Sequence, residues 1–289
     1  MADISKALVD PAVFPWICFV LGLAVGSFLN VVIYRLPKMF ERAWQKDCAE
    51  FRGETLAPKE KFNLFVPRSH CPACGHGISA IENIPLVSWA LLRGRCSACK
   101  ARISARYPLV ELLAGIGAFA SATHFGFSLA AVGATIFIWC TIALAFIDQE
   151  TGYLYDDITL PLLWLGLLLN LGGTYVPIRD AVIGAAAGYL FLWIVYQAFK
   201  LITGKKGMGF GDFKLNAAVG AFLGWKMLPL VILLSSVVGS IFGIGQMFAA
   251  KRGWEWYFKF HFGPYLAIAG VIALFWGPQI TRYYLTQFA

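Results

Sequence analysis

Two aspartates and four cysteines stand out in a chain otherwise poor in reactive side chains. Asp148 closes the apolar run Leu144-Ala-Phe-Ile-Asp148, and Asp212 follows Gly207-Met-Gly209-Phe-Gly211. Acids inside or at the edge of membrane helices are costly and are functional candidates by default. Two close carboxylates cannot both ionise freely, so their titrations split, leaving one as a base and one as an acid. Such a pair can activate a water and protonate a leaving group, the chemistry of aspartic peptide hydrolysis, with no nucleophilic serine or cysteine. Three readings are open at this point: a catalytic dyad, an ion- or proton-coupled transport site, and ordinary helix capping. Gly209 and Gly211 permit close backbone approach beside Asp212. The remaining acids near apolar runs are Glu111, Glu150, Asp156 and Asp157. Asp156 and Asp157 precede Ile158-Thr-Leu-Pro161 and are expected to cap a helix. Glu111 either orients the polar segment before it or is a plain interfacial carboxylate.

The cysteines form two C-x-x-C pairs, Cys71-Pro-Ala-Cys74 and Cys96-Ser-Ala-Cys99, with 21 residues between them. The pattern C-x-A-C-x-x-x-I-S occurs twice at an offset of 25 residues, giving two similar knuckles. Four thiolates suit one tetrahedral zinc ion, with no open coordination position, so the metal is expected to be structural. A redox or disulfide role is the alternative, disfavoured in a reducing compartment. His70 and His76 flank the first pair and are either substitute ligands or solvated loop residues. Cys18 and Cys140 lie in apolar runs as small hydrophobes, and Cys48 stands alone.

The elements that must position these groups are membrane helices. Of 289 residues, 59% are hydrophobic and only 14% charged, against roughly 25% in an average soluble domain. Mean hydropathy is +0.68. This composition excludes a soluble enzyme, a disordered chain and a disulfide-rich secreted domain. Apolar runs occupy 12–34, 108–125, 129–147, 158–176, 181–202, 213–228, 229–249 and 264–285. A spanning helix needs about 20 residues, so the expectation is an all-α polytopic membrane protein of about eight transmembrane helices. The break between 213–228 and 229–249 is placed at Lys226-Met-Leu-Pro229, seven helices being the alternative.

The net charge of +8 is not spread along the chain: residues 35–107 hold 13 of the 24 Lys and Arg and a net +7. That locates one polar insert between the first and second helices, rather than a basic protein with a nucleic-acid partner. The positive-inside rule places the insert in the cytoplasm. Alternation from there puts 20 of the 24 basic residues inside and Lys6, Arg179, Lys226 and Arg282 outside, with both termini outside. Asp148 and Asp212 then reach the same cytoplasmic border on independent helices. Residues 1–34 comprise an N-terminal segment and first helix, read as an anchor rather than a cleaved signal. Residues 35–107 form the zinc-binding domain and 108–289 the helical domain that carries both aspartates. The basic residues of the insert suit anionic headgroups. Glu41, Glu50, Glu54, Glu60 and Glu82 are either solvated or available to a basic ligand.

These residues resemble bacterial type IV prepilin peptidases, the bifunctional leader peptidase/N-methyltransferases. The resemblance runs through Gly26-Ser-Phe-Leu-Asn30, Arg68-Ser-His-Cys71-Pro-Ala-Cys74, Asn83-Ile-Pro-Leu-Val-Ser-Trp89, Leu92-Arg-Gly94-Arg-Cys96 and Arg106-Tyr-Pro-Leu-Val-Glu111. It continues through Ile147-Asp148, Asp157-Ile-Thr-Leu-Pro161 and Phe262-Gly-Pro-Tyr265, and Gly209-Phe-Gly211-Asp212 fits the GxGD motif of intramembrane aspartyl proteases. The resemblance implies that Asp148 and Asp212 are the catalytic pair. It implies prepilin and pseudopilin substrates with a short basic leader, a glycine before the cut, a phenylalanine after it and then an apolar helix. It also implies N-methylation of the new terminus from S-adenosylmethionine, linked to residues 35–107, in an inner-membrane enzyme. No dinucleotide-type glycine loop marks the cofactor site. Gly94, between Arg93 and Arg95, is the position picked near it, a tight turn before the second knuckle being the equal alternative. The rivals from other classes are a carboxylate-coupled transporter with a zinc-bound insert and a zinc-stabilised assembly scaffold. A transporter favours acids near the bilayer midplane, and a scaffold needs neither aspartate.

Overall fold

A helix lies in every apolar run, and no strand forms among the described residues of the computed structural model, which are 10–54, 61–205, 207–249 and 261–288. Lys6, Lys59, Glu60, Lys206, Lys251, Arg252 and Lys259, which enter the charge distribution, lie outside them. We label the helices α1 (Phe14–Phe51), α2 (Val87–Leu91), α3 (Arg106–Phe125), α4 (Leu129–Thr151), α5 (Asp156–Leu171), α6 (Ile178–Thr203), α7 (Phe210–Leu223), α8 (Leu228–Ala249) and α9 (Gly263–Phe288). The chain divides into two compact units, Met1–Gly126 and Phe127–Ala289.

In the N-terminal unit, α1 packs on α3. Gly22 and Gly26 make the close approach possible: a Cβ at Gly26 would stand 2.6 Å from Glu111 Cα, and one at Gly22 2.6 Å from Ala114 O. Small residues one turn apart are how membrane helices bring their backbones together. The apolar run ends at Tyr34, but α1 continues through Pro37 to Phe51. The reason is propensity: Met39-Phe-Glu-Arg-Ala-Trp-Gln-Lys is polar yet made largely of good helix formers.

In the C-terminal unit, α7 is the centre. From Phe213 to Leu223 every residue except Lys214 is buried, as expected for a helix apolar all round. Helices α5, α6 and α9 pack against it. At the α6 crossing, a Cβ on Gly184 or Gly220 would run into the other's carbonyl group. Lys214 Nζ donates to Asp156 Oδ2 at 2.6 Å, tying α7 to α5.

Among the described residues six helices are long and apolar enough to cross a membrane, and α5 and α7 are shorter. At 16 and 14 residues they run about 24 and 21 Å at ~1.5 Å per residue, short of the ~30 Å apolar core. Runs 158–176 and 213–228 are thus filled by helices shorter than the other six. Gly172 and Gly173 (φ +69°) end α5, and Gly224 (φ +75°) ends α7 before a single 3₁₀ turn leads into α8. Buried Asn170 makes these early ends affordable. Its Nδ2 donates to Ala221 O (2.8 Å) and Phe222 O (3.1 Å), two of the last carbonyls of α7. Its Oδ1 accepts from Tyr175 N and Val176 N after α5. A backbone group left unpaired in an apolar medium costs roughly several kcal/mol, and this one side chain answers two helix-end carbonyls and two N–H groups of the following turn.

Candidate active site and metal centre

Asp148 occupies the last turn of α4 and Asp212 the first turn of α7, at 5% and 7% exposure. Gly152, in the left-handed region at φ +73°, closes α4 by donating its N–H to Asp148 O at 2.7 Å. Gly209 leads into α7 and accepts the Asp212 N–H at 3.3 Å. The two carboxylates interact electrostatically, so the fold brings together two acids 64 positions apart in the sequence. Asp212 at a helix N-terminus lies in the positive end of the α7 dipole. Leu154 packs against Gly211, where a Cβ would stand 2.6 Å from Leu154 Cβ. This is why the position before Asp212 must be glycine.

One member of this site was not singled out among the candidate residues. Gly263, the first residue of α9, donates its backbone N–H to Asp148 Oδ2 at 3.2 Å, 115 residues away in sequence. A Cβ there would come within 2.7 Å of that oxygen. Gly263→Ala is therefore expected to push the Asp148 carboxylate out of line, so that any reaction using both carboxylates falls by roughly 10²-fold with little loss of thermal stability. Wild-type kcat/KM in this variant would show that the N–H does not position the carboxylate.

Of the other acids, Asp156 and Asp157 stand in the first turn of α5, but Tyr155 is the cap residue and has no side-chain cap bond. Expected capping is thus corrected: Asp156 is held by Lys214 instead. Glu111 is buried in α3 and its Oε2 accepts the Leu86 N–H at 2.8 Å. It fixes Leu86, a non-glycine residue at φ +60°, a conformation that costs about 1–3 kcal/mol and needs such support. Glu111 therefore orients the insert.

The four cysteine sulfurs of residues 71, 74, 96 and 99 lie within 4.8 Å of one another, with Cys71 Sγ and Cys99 Sγ 3.8 Å apart. A tetrahedron with Zn–S near 2.3 Å places its sulfurs about 3.8 Å apart, so the cluster has the size a zinc ion requires. The 25-residue repeat is also a repeat in space. Cys71 N bonds His76 O and Cys96 N bonds Ala101 O, both at 2.8 Å. The bridge His70–Gly77 recurs as Arg95–Arg102, and Gly75 at φ +73° recurs as Lys100 at φ +60°. Backbone N–H groups of Cys99 and Ala98 aimed at the Cys96 sulfur hold its thiol down, to about 6. Although the His76 backbone favours its thiolate, Cys74 is pushed up to about 12 by Cys99 and its other neighbours. Four thiols this close do not ionise together without a cation.

Among the described residues neither His70 nor His76 belongs to the cluster. His70 Nδ1 contacts Arg68 O at 3.0 Å, and His76 Nε2 lies 3.4 Å from Glu82. Glu82 fastens the two knuckles together: its carboxylate is bonded by Ser97 and by Ser79 N at 2.9 Å, which pulls its pKa down to about 2. Gly94 sits at φ +66° against the Trp89 ring, 3.0 Å from a would-be Cβ, in the turn that opens the second knuckle. Cys18, Cys48 and Cys140 are half-buried and stand apart from the cluster.

Two family models match the chain. One, described as Bacterial Peptidase A24 N-terminal domain, covers residues 20–125; the other, Type IV leader peptidase family, covers 135–244. Several curated relatives carry the name Prepilin leader peptidase/N-methyltransferase. The protein of that name from Aeromonas salmonicida (strain A449) is 56% identical over 279 residues, 94% of this chain and 95% of the relative. One from Stutzerimonas stutzeri is 54% identical over 290 residues, covering 100% and 99%. One from Pseudomonas aeruginosa is 52% identical over 280 residues, covering 96% of each. No solved structure matches.

Proposed function

The chain belongs to the type IV leader peptidase family, and from that premise we propose that Asp148 and Asp212 are the catalytic pair of a prepilin leader peptidase that is also an N-methyltransferase. The observation that carries the assignment is the meeting of two buried, electrostatically coupled carboxylates from two separate helices, one of them in the G-x-G-D segment 209–212.

One carboxylate takes a proton from water as it attacks the scissile carbonyl, and the other donates a proton to the departing amine. The Gly263 N–H holds one oxygen of Asp148 and so fixes how that carboxylate is turned. The enzyme is a multi-pass membrane protein, and we place the insert and the carboxylate pair on the cytoplasmic side from the distribution of Lys and Arg. A basic leader stays in the cytoplasm while the apolar segment after the cut stays in the bilayer. The scissile bond is thereby confined to the border where the carboxylates lie. Cys71, Cys74, Cys96 and Cys99 are the residues that would hold zinc, in a closed site that shapes the insert. S-adenosylmethionine, when bound, supplies an activated methyl group for the new N-terminus.

The test is mass spectrometry of a prepilin incubated with the purified full chain in detergent. The expected product has lost its leader and, only when S-adenosylmethionine is present, gained one methyl group. An uncleaved substrate, or a cleaved product that never gains the methyl, refutes the corresponding half of the assignment.

A further inference from the structure

Resting on that methyltransferase reading, we propose that a cavity of about 920 Å³ inside the N-terminal unit is the S-adenosylmethionine site, with Asn30 and Glu111 on an acceptor side and Arg35, Lys38, Arg42 and Arg102 on an anion-binding side. Ligand cavities run to roughly 300–1,000 Å³, so the size suits a nucleoside attached to an amino acid.

The acceptor side contains an unmet bond. Asn30 is 3% exposed, and its Nδ2 donates to Tyr107 O at 3.0 Å and Gly26 O at 3.3 Å. Two carbonyls on that atom fix the amide orientation, because an oxygen there would face two oxygens. The outcome is a buried Oδ1 with no hydrogen-bond partner. Buried acceptors are normally paired, and an exception calls for a missing donor. Glu111, which lines the same cavity, adds a carboxyl group already oriented by Leu86 N and Ser27. A ligand received here carries N–H or O–H donors or positive charge.

The other side asks for an anion. Arg35, Lys38, Arg42 and Arg102 line the cavity, and none has a carboxylate partner among the described residues. Arg35 and Arg42 rest over the Phe62 ring at 5.7 and 4.2 Å, and Lys38 over the Tyr34 ring at 3.6 Å, which holds these side chains at the wall. Tyr107 and Trp89 supply further ring faces. S-adenosylmethionine matches both sides: an α-carboxylate for the arginines, donors and a sulfonium for the acceptors, and an adenine for the rings. A phosphate or an anionic headgroup answers the basic side alone and leaves Asn30 Oδ1 unpaired.

The experiment uses the full chain in detergent. Calorimetry measures S-adenosylhomocysteine binding, and ultraviolet crosslinking of methyl-labelled S-adenosylmethionine is mapped by peptide. The expected label falls on Tyr34 or on the stretch from Trp89 to Tyr107. Arg102→Gln is expected to weaken binding by about tenfold without changing the ligand-free melting temperature, and Glu111→Gln, which keeps an oxygen for the Leu86 N–H, is expected to weaken it by a similar factor. Asn30→Leu is expected to weaken it further, and Arg102→Gln keeps the test decisive if Asn30→Leu does not fold. Binding by the wild type with label outside the cavity, or wild-type affinity in both Glu111→Gln and Arg102→Gln, overturns the site. So does an Arg102→Gln protein that loses only its affinity for phosphatidylglycerol vesicles. A wild type that binds neither probe defeats the methyltransferase reading itself.

Discussion

Asp148→Asn and Asp212→Asn are each expected to lower prepilin cleavage by roughly 10³–10⁴-fold while leaving the fold in place. Asparagine keeps the shape of the side chain, and at position 148 it keeps an oxygen for the Gly263 N–H, 3.2 Å away in the native protein. What it removes is the capacity to hold or pass a proton. The two groups act as one unit, so the double variant is expected to be little worse than either single one, the non-additive pattern of residues that serve one step. Thermal melting separates this from collapse, since both positions are buried at 5% and 7% exposure and a misfolded variant would melt early. Single-turnover cleavage followed by mass spectrometry provides the measurement. A wild-type rate in either variant would end the dyad assignment, and two losses that multiply in the double variant would argue for independent roles.

The carboxylates were legible in the sequence because acids are scarce there. With charged residues at 14% of the chain, an aspartate at the end of an apolar run is conspicuous. Gly263 was not legible in the same way: its contribution is a backbone N–H, which any residue possesses, and its partner is 115 positions away. The end of α5 was hidden for a related reason. Hydropathy runs on through Gly172-Gly173-Thr-Tyr, but the helix stops at Leu171, because the chain there turns at φ +69° and its ends are taken up by Asn170. A buried asparagine inside an apolar run was the available signal. Conversely, the 25-residue repeat around the cysteines forecast the structure nearly residue by residue, down to the left-handed backbone shared by Gly75 and Lys100. A metal site is read from ligands close together in sequence. A cavity such as the one beside Asn30 depends on Tyr107, 77 positions away, and only the fold assembles it.

Replacing any one of Cys71, Cys74, Cys96 and Cys99 by serine is expected to release zinc and loosen residues 70–105. Structural zinc contributes apparent free energies of about 10–16 kcal/mol in small zinc-bound peptides. The insert has little else to hold it: apart from the five-residue α2, one 3₁₀ turn and two isolated bridges, it has no regular structure from His70 to Ala105. The four positions are not equivalent. Cys71 and Cys96 are buried, at 8% and 6% exposure, whereas Cys74 and Cys99 are exposed. Cys96 also receives the two backbone N–H groups that favour its thiolate. Cys71→Ser and Cys96→Ser should therefore open the insert to limited proteolysis more fully than Cys74→Ser and Cys99→Ser. Because Cys71 and Cys96 also line the cavity, their loss should weaken S-adenosylhomocysteine binding in parallel. Any ligand or metal that binds only the ordered insert stabilises the other's site by mass action. Elemental analysis, proteolysis and calorimetry on the same four variants test the ordering. Freshly purified protein with intact thiols and no bound metal would remove the zinc assignment, and equal protease resistance in all four variants would remove the distinction between the buried and exposed pairs.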